Sequence, residues 1–509
     1  MSWKDFVPGF PYIAAITATY VLLLSGYRIF LHPLSKYPGP LLAKVSGSYS
    51  AFYAVQKRLH LVTRENHVKF GPIIRMGPNK LVFNSVQALH DIYDSDRVTK
   101  SQAYLATRLS PSFNIFNAID EDLHRTKRKV IGQVVSERSM RIFEPTMQGQ
   151  IDEFIKHLRH CSLESSPVNM TDRCRYLGMD VVGHLAFGYD LETQTSPTNH
   201  HLITALGHAN WRLNTYIQWS FLAKLHLEVV VVIFYLLKKG SHLRLLDRMM
   251  KLREKQEPDA HHDLYSIVAG STKNSNNEGI PLKDIWAEAF FFFPAGGETS
   301  VTAMCSLFFY LSRNPGCYQK LAEEIRSTFQ SGEEIKGGAK LSGCRYLRAS
   351  IDEALRMSPP TPGTLWRQQI AGDNESQPLI IGGHPIPKGV EFGVNTYSIQ
   401  HNEELFPESF SFKPERWLPD YTPKEQIKEM SRAFASFSLG PRGCAGKAMA
   451  YLEISLVMAK VLWNFDFEKA PGELGETGCM HGRKGEYGIQ DIFTSDHDGP
   501  YLLFRERTE

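Results

Sequence analysis

The sequence predicts a mainly α chain with smaller β-sheets, an α+β body behind one N-terminal transmembrane helix. Three observations lead there. Phe6 to Tyr27 carry no charge. Helical patterns dominate from His124 to Met357. Short strand-like pieces follow, at Gly363 to Gln368, Leu379 to Ile381 and Val390 to Tyr397; helices first and strands later is the order of an α+β body. The chain has 509 residues and is 42% hydrophobic, enough for a large core. Length alone suggests about three domains. No Pro/Gly/Ser linker or repeat divides the chain.

The apolar run includes Tyr12 to Leu24 and approaches the roughly 20 residues that cross a bilayer. Lys4 and Asp5 precede it; Arg28, Lys36 and Lys44 follow, which leaves the body on the cytoplasmic side. A cleaved signal peptide fits less well, because the run is long and no small-x-small site follows. His32 to Pro40 is a stiff, proline-rich hinge. The expected division is 1–28 as anchor, 29–45 as hinge and 46–509 as one body. Val229 to Leu237 is too short to span; it reads as a surface dipping into lipid or as a buried element.

A net charge of only +3 argues against nucleic acid as a partner. The seven cysteines are scattered and include no Cys-x-x-Cys, so zinc and redox dithiols have no support. A reduced, cytosol-facing body fits.

Taken in order, Pro72 to Phe83 reads as two strands around Gly77-Pro78-Asn79. Ser101 to Asp120 is an irregular, aromatic-rich loop, a lid or a loop packed on the core. His124 to Lys129 opens a helix that is basic on one side, a solvated face or a docking surface in equal measure. A helix is expected over Asp172 to Tyr189. Leu282 to Ser312 reads as the longest apolar helix, interrupted by Pro294, Gly296, Gly297, Glu298 and Thr299. Proline removes a hydrogen bond and each glycine costs about 1 kcal/mol relative to alanine, so the helix should open locally. A carboxylate there is costly to bury without a role or a partner. Asn314-Pro315 starts a helix through Phe329. Tyr346 to Met357 carries Glu353 and Arg356 on one face.

The decisive stretch is Phe437-Ser-Leu-Gly440-Pro-Arg442-Gly-Cys444-Ala-Gly446, before a helix over Ala448 to Leu462. A lone thiolate suits one soft metal ligand. Gly440 and Gly446 let backbone approach a flat ligand. Arg442 can pair with a carboxylate on it, and Phe437 can keep water from the sulfur. A buried structural thiol is the bland alternative.

With these motifs in view, the chain resembles the cytochrome P-450 family of haem-thiolate monooxygenases, over nearly its whole length. Phe437, Gly440, Arg442, Cys444 and Gly446 match the cysteine signature; Ala295 to Ser300 match the oxygen-activation motif; Glu353, Arg356 and Arg416 match the ion-pair lock. His32 to Pro40 is similar to filamentous-fungal members. The resemblance implies a single haem domain. It implies haem b held by Cys444, propionates bound by His124, Arg128, Arg367 and Arg442, and proton handling by Glu298 and Thr299. His124 and Arg128 stand where the family often has Trp-x-x-x-Arg.

The implied reaction inserts one oxygen atom from O2 into a lipophilic small molecule of fungal secondary metabolism. Electrons would come from NADPH through a membrane-bound reductase, at the endoplasmic reticulum. The lining expected for the pocket is Phe113, Ile115, Phe116, Phe292, Phe293, Ala295 and Thr364 to Trp366. Lys127 to Lys129 would face the reductase. Two other readings stay open: an oxygen-independent isomerase or dehydratase, which the Glu298-Thr299 pair argues against, and a non-enzymatic haem sensor, which reductase-dependent product formation would exclude.

Overall fold

A computed structural model describes residues 10–108, 112–224, 241–257, 259–268, 282–373 and 377–507. The apolar run Val229 to Leu237 lies outside the described residues. The body is built mainly from helices, with sheets of two to five strands at its margins.

The long apolar segment is two helices, Leu282–Gly296 and Thr299–Arg313, where the sequence suggests a single opened one. The break falls at Gly297 and Glu298, whose φ and ψ are −120° and −33°. Close packing explains the glycine. A Cβ on Gly297 would stand 2.8 Å from the Phe293 carbonyl, and one on Gly178, in the helix Met170–Phe187, would stand 3.0 Å from the Gly297 carbonyl. Two glycines therefore let two backbones meet. Ser300 to Leu311 are buried throughout, the pattern of a helix enclosed on every side.

Helix Arg345–Met357 packs on Thr299–Arg313, and both pack on Lys447–Asn464, which follows the cysteine loop. Glu353 accepts from Arg356 Nε at 2.9 Å and Arg416 Nε at 2.9 Å, and from Trp417 Nε1 at 3.0 Å. Its fully buried carboxylate is held below the usual range by these guanidiniums, against the upward pull of burial. The lock ties the helix to the segment that leads into the cysteine loop.

The five-stranded sheet runs Ile73–Gly77, Lys80–Phe83, Glu391–Val394, Arg367–Gln369, Val98–Lys100. Lys80–Phe83 pairs with Glu391–Val394 in parallel; the other neighbours are antiparallel. The strand expected from Gly363 begins only at Arg367, and the one expected through Tyr397 gives way to a helix, Thr396–Gln400, capped by Asn395.

At the N-terminus, Pro11–Leu31 is a helical segment of 21 residues, long and apolar enough to cross a membrane; its apolar stretch is not buried, and its last turn, Tyr27–Leu31, packs on the helix Leu41–Val45. The proline-rich segment behind it is docked. Leu34 and Tyr37 are buried in the sheet's apolar cluster. Arg75 Nη1 donates to the Arg28 carbonyl at 2.7 Å, and Arg28 Nη1 to the Val45 carbonyl at 2.6 Å.

Candidate active site

The cysteine loop, the broken helix and the sheet surround a cavity of about 1350 Å³ with a mostly apolar wall. Of the seven cysteines, Cys444 lines it. Its amide donates to the Phe437 carbonyl at 2.8 Å, closing the loop. Cys444 has accessible surface because the cavity opens onto it, yet it sits deep: burial raises its thiol pKa, and the Gly446 amide, Arg128 and Lys447 oppose that rise.

Phe437 lines the cavity and packs on Tyr451, with ring centroids 5.1 Å apart. Gly446 also lines it, with open space where a side chain would be. Gly440 serves differently from the expected close approach to a ligand. Its φ is +66°, and a Cβ there would stand 2.0 Å from the Tyr93 carbonyl. It is required by packing on the helix Val86–Tyr93.

One rim of the cavity is cationic. Arg128, Arg367, Arg442 and His124 all line it, joined by Lys100. Lys100 carries no local motif; the strand Val98–Lys100 delivers it from beside Arg367's strand. Arg442 Nη2 donates to the Ile119 carbonyl at 2.8 Å and to Thr99 Oγ1 at 3.1 Å. Arg128 donates to the carbonyls of Gly443 and Cys444. Arg367 lies 4.8 Å over the Tyr93 ring.

The cations repel one another. Burial, then Arg367, brings Arg442 down to about 10. Burial, then Arg367 and Arg442, holds Lys100 well below its ordinary value. Burial, then these cations, takes His124 down to about 3, so it is neutral. Such a rim fits a ligand bearing carboxylates, and a cavity floored by one thiol, with open space beside Gly446, fits a flat metal complex.

On the facing wall, Thr299 lines the cavity and its Oγ1 donates to the Ala295 carbonyl at 2.6 Å. Glu298 does not line it. Its buried carboxyl is within electrostatic reach of Arg175 in the helix Met170–Phe187. Burial raises that carboxyl to about 7, Arg175 draws it down and Asp496 pushes it up. Arg175 Nη2 pairs with Asp496 at 2.7 Å, and Asp496 with Lys57 Nζ at 2.8 Å. The side chain of Lys57 is 34% exposed, so the Arg175–Asp496–Lys57 pairs reach the surface, and Glu298 feels the charges of Arg175 and Asp496.

Ile115, Phe116, Phe292, Ala295 and Leu365 line the cavity as expected. Four others do not. Thr364 pairs with Asn395 in an isolated bridge. Phe113 lies under Arg108, Phe293 stacks on Phe187, and Trp366 turns its Nε1 to Gln218. Nor is the basic run a single docking face: Lys127 is buried and paired with Glu288 at 2.9 Å.

A sequence model of the cytochrome P-450 family matches residues 38–477. The chain belongs to the cytochrome P-450 family. It is 34% identical over 513 residues to cytochrome P-450 monooxygenase apf7 of Gibberella fujikuroi, covering 96% of each chain. It is 32% identical over 493 residues to monooxygenase poxM of Penicillium oxalicum, covering 96% of this chain and 93% of that one. It is 31% identical over 497 residues to monooxygenase atnE of Emericella nidulans, covering 94% of this chain and 93% of that one. The protein is thus an oxidoreductase of the P-450 monooxygenase class, and the family implies a haem held by a cysteine thiolate.

Proposed function

We propose that Cys444 is that thiolate, and that the protein inserts one oxygen atom from O2 into a lipophilic small molecule of fungal secondary metabolism. One observation carries this reading: a single cysteine on the floor of a large apolar cavity, beside a rim of cations. Arg442, Arg367, Arg128 and Lys100 would bind the haem carboxylates, and neutral His124 would accept or donate one hydrogen bond beside them. Bound there, haem supplies activation of dioxygen for transfer to a C–H bond.

The chain's own residues orient, exclude water and handle protons. The aromatic wall around Phe116 holds apolar substrate and keeps water away. Phe437 and the Cys444 amide fix the loop that presents the sulfur. Thr299 Oγ1 now donates to the Ala295 carbonyl; turned inward, the same hydroxyl hands a proton into the cavity. Glu298 holds a proton near neutrality and would supply it towards the cavity. A buried carboxyl tuned to about 7 suits an enzyme that consumes protons, and an oxygen-independent isomerase has no use for it.

Residues 1–28 anchor the protein in the endoplasmic reticulum membrane in this reading. Residues 29–45 form the docked hinge, and 46–509 the catalytic body facing the cytoplasm. An NADPH-dependent reductase of the same membrane delivers electrons. The test is co-expression with such a reductase and a mass-shift screen of lipophilic fungal metabolites under labelled dioxygen. One labelled oxygen atom per product is expected. Substrate conversion without labelled oxygen would overturn the reading.

A further inference from the structure

The tip of the C-terminal hairpin enters the cavity by a strained route. Gln490–Ile492 and Thr494–Asp496 pair antiparallel with Ile492 opposite Thr494, so Phe493 alone makes the turn. Its φ is +85°, a region that side-chain-bearing residues rarely occupy and that persists only where the surroundings over-determine it. The Phe493 ring lines the cavity and stands edge-on to Phe116, with centroids 5.2 Å apart. Phe116 in turn stacks on Phe291 at 5.1 Å. The strained residue completes an aromatic wall.

A buried polar ladder holds the tip. Asp491 Oδ1 accepts from the Phe493 amide at 3.1 Å and from Asn214 Nδ2 at 2.9 Å. Asn214 Oδ1 accepts from Gln218 Nε2 at 3.2 Å, and Gln218 Oε1 from Trp366 Nε1 at 3.1 Å. One turn earlier, Asn210 Nδ2 donates to Thr494 Oγ1 at 3.1 Å. Asn210, Asn214 and Gln218 thus form a stripe of amides on the buried face of the helix His201–Gln218. Apolar residues would fill that face without the cost of burying polar groups. Asp491 is fully buried and its Oδ2 has no hydrogen-bond partner; burial raises the carboxyl to about 7. An asparagine there reproduces the neutral form.

We propose that Asp491 is a positioning residue: with Asn214 and Gln218 it fixes where the Phe493 ring stands, and so selects how bulky lipophilic ligands fit in the cavity. This rests on the cavity holding the haem. The holoenzyme is titrated optically with imidazole, which is too small to need the aromatic wall, and with triphenylmethylimidazole, which must reach it.

Asp491→Ala should weaken triphenylmethylimidazole about tenfold and leave imidazole unchanged. Asp491→Asn should restore wild-type affinity, and Phe493→Gly should match Asp491→Ala. The double variant Asp491→Ala/Phe493→Gly should be no worse than either single one. Asn214→Leu should give the same pattern, and it serves if Asp491→Ala does not accumulate. Equal losses for both ligands, additive losses in the double variant, or wild-type affinity in both Asp491→Ala and Asn214→Leu would overturn the proposal. No optical response of the wild type to imidazole itself would overturn the haem reading, and this proposal with it.

Discussion

Lys127 Nζ stands 2.9 Å from Glu288 Oε1, with the two side chains only 2% and 0% exposed. Glu288 Oε2 also accepts from the Ile115 amide at 2.9 Å. One carboxylate therefore joins three pieces of the cavity rim: the helix Glu121–Val134, the helix Leu282–Gly296 and the aromatic loop.

Removing one partner of such a pair strands the other charge in the interior, which costs about 3–5 kcal/mol, whereas replacing both by apolar residues is often near neutral. Lys127→Met is expected to lower the thermal unfolding midpoint markedly, and Lys127→Met/Glu288→Gln, which removes both charges but keeps an acceptor for the Ile115 amide, to recover most of it. An unchanged midpoint in the single variant would return Lys127 to the surface role that its neighbours in sequence suggest.

That lysine shows where sequence reasoning stops. A run of basic residues at the start of a helix looks solvated, and its acidic partners lie more than 150 residues away on another helix. Lys100 was invisible for the same reason: only the pairing of Val98–Lys100 with Arg367–Gln369 brings it to the cationic rim. Glu298 was legible as an unusual acid in an apolar helix, but not its direction, which depends on how the Gly178–Gly297 contact breaks that helix. Local signals did better. The Glu353–Arg356 spacing, the turn at Gly77–Asn79 and the helix after Cys444 are written within a few residues, and each appears in the structure.

Glu353→Ala removes the acceptor shared by Arg356, Arg416 and Trp417. Two buried guanidiniums then lose their counter-charge, again a loss of about 3–5 kcal/mol. Little folded, haem-loaded protein is expected, read as the ratio of haem absorbance to protein. A normal ratio would contradict this structural role.

Glu298 is raised from an ordinary 4.5 to about 7 by burial. The folded protein therefore holds a proton that the unfolded chain releases. The stability this contributes is complete below about pH 4.5 and lost as pH rises towards 7. As a proton donor the group is present below about pH 7, so reductase-supported turnover should fall above it. Glu298→Gln should lower turnover about 100-fold and remove that limb. Arg175→Gln, which takes away the positive charge that draws the carboxyl down, should move the limb to higher pH. A limb that stays in place in Glu298→Gln would show that another group titrates.

Arg442→Leu deletes the contacts with Thr99 and Ile119 as well as one cation of the rim. A hydrogen bond to a charged group contributes about 1.5–3 kcal/mol, so haem should dissociate roughly 10- to 150-fold faster, measured by transfer to apomyoglobin. Lys100→Met should act in the same direction, and an unchanged rate in both would remove the carboxylate-binding role of the rim.

The central claim is that the Cys444 sulfur is the iron ligand, and the reduced carbon-monoxide difference spectrum tests it most directly. The wild-type protein should give the band of a thiolate-ligated haem, and Cys444→Ala should lose it while the remaining six cysteines stay in place. A wild-type spectrum from Cys444→Ala would contradict the account.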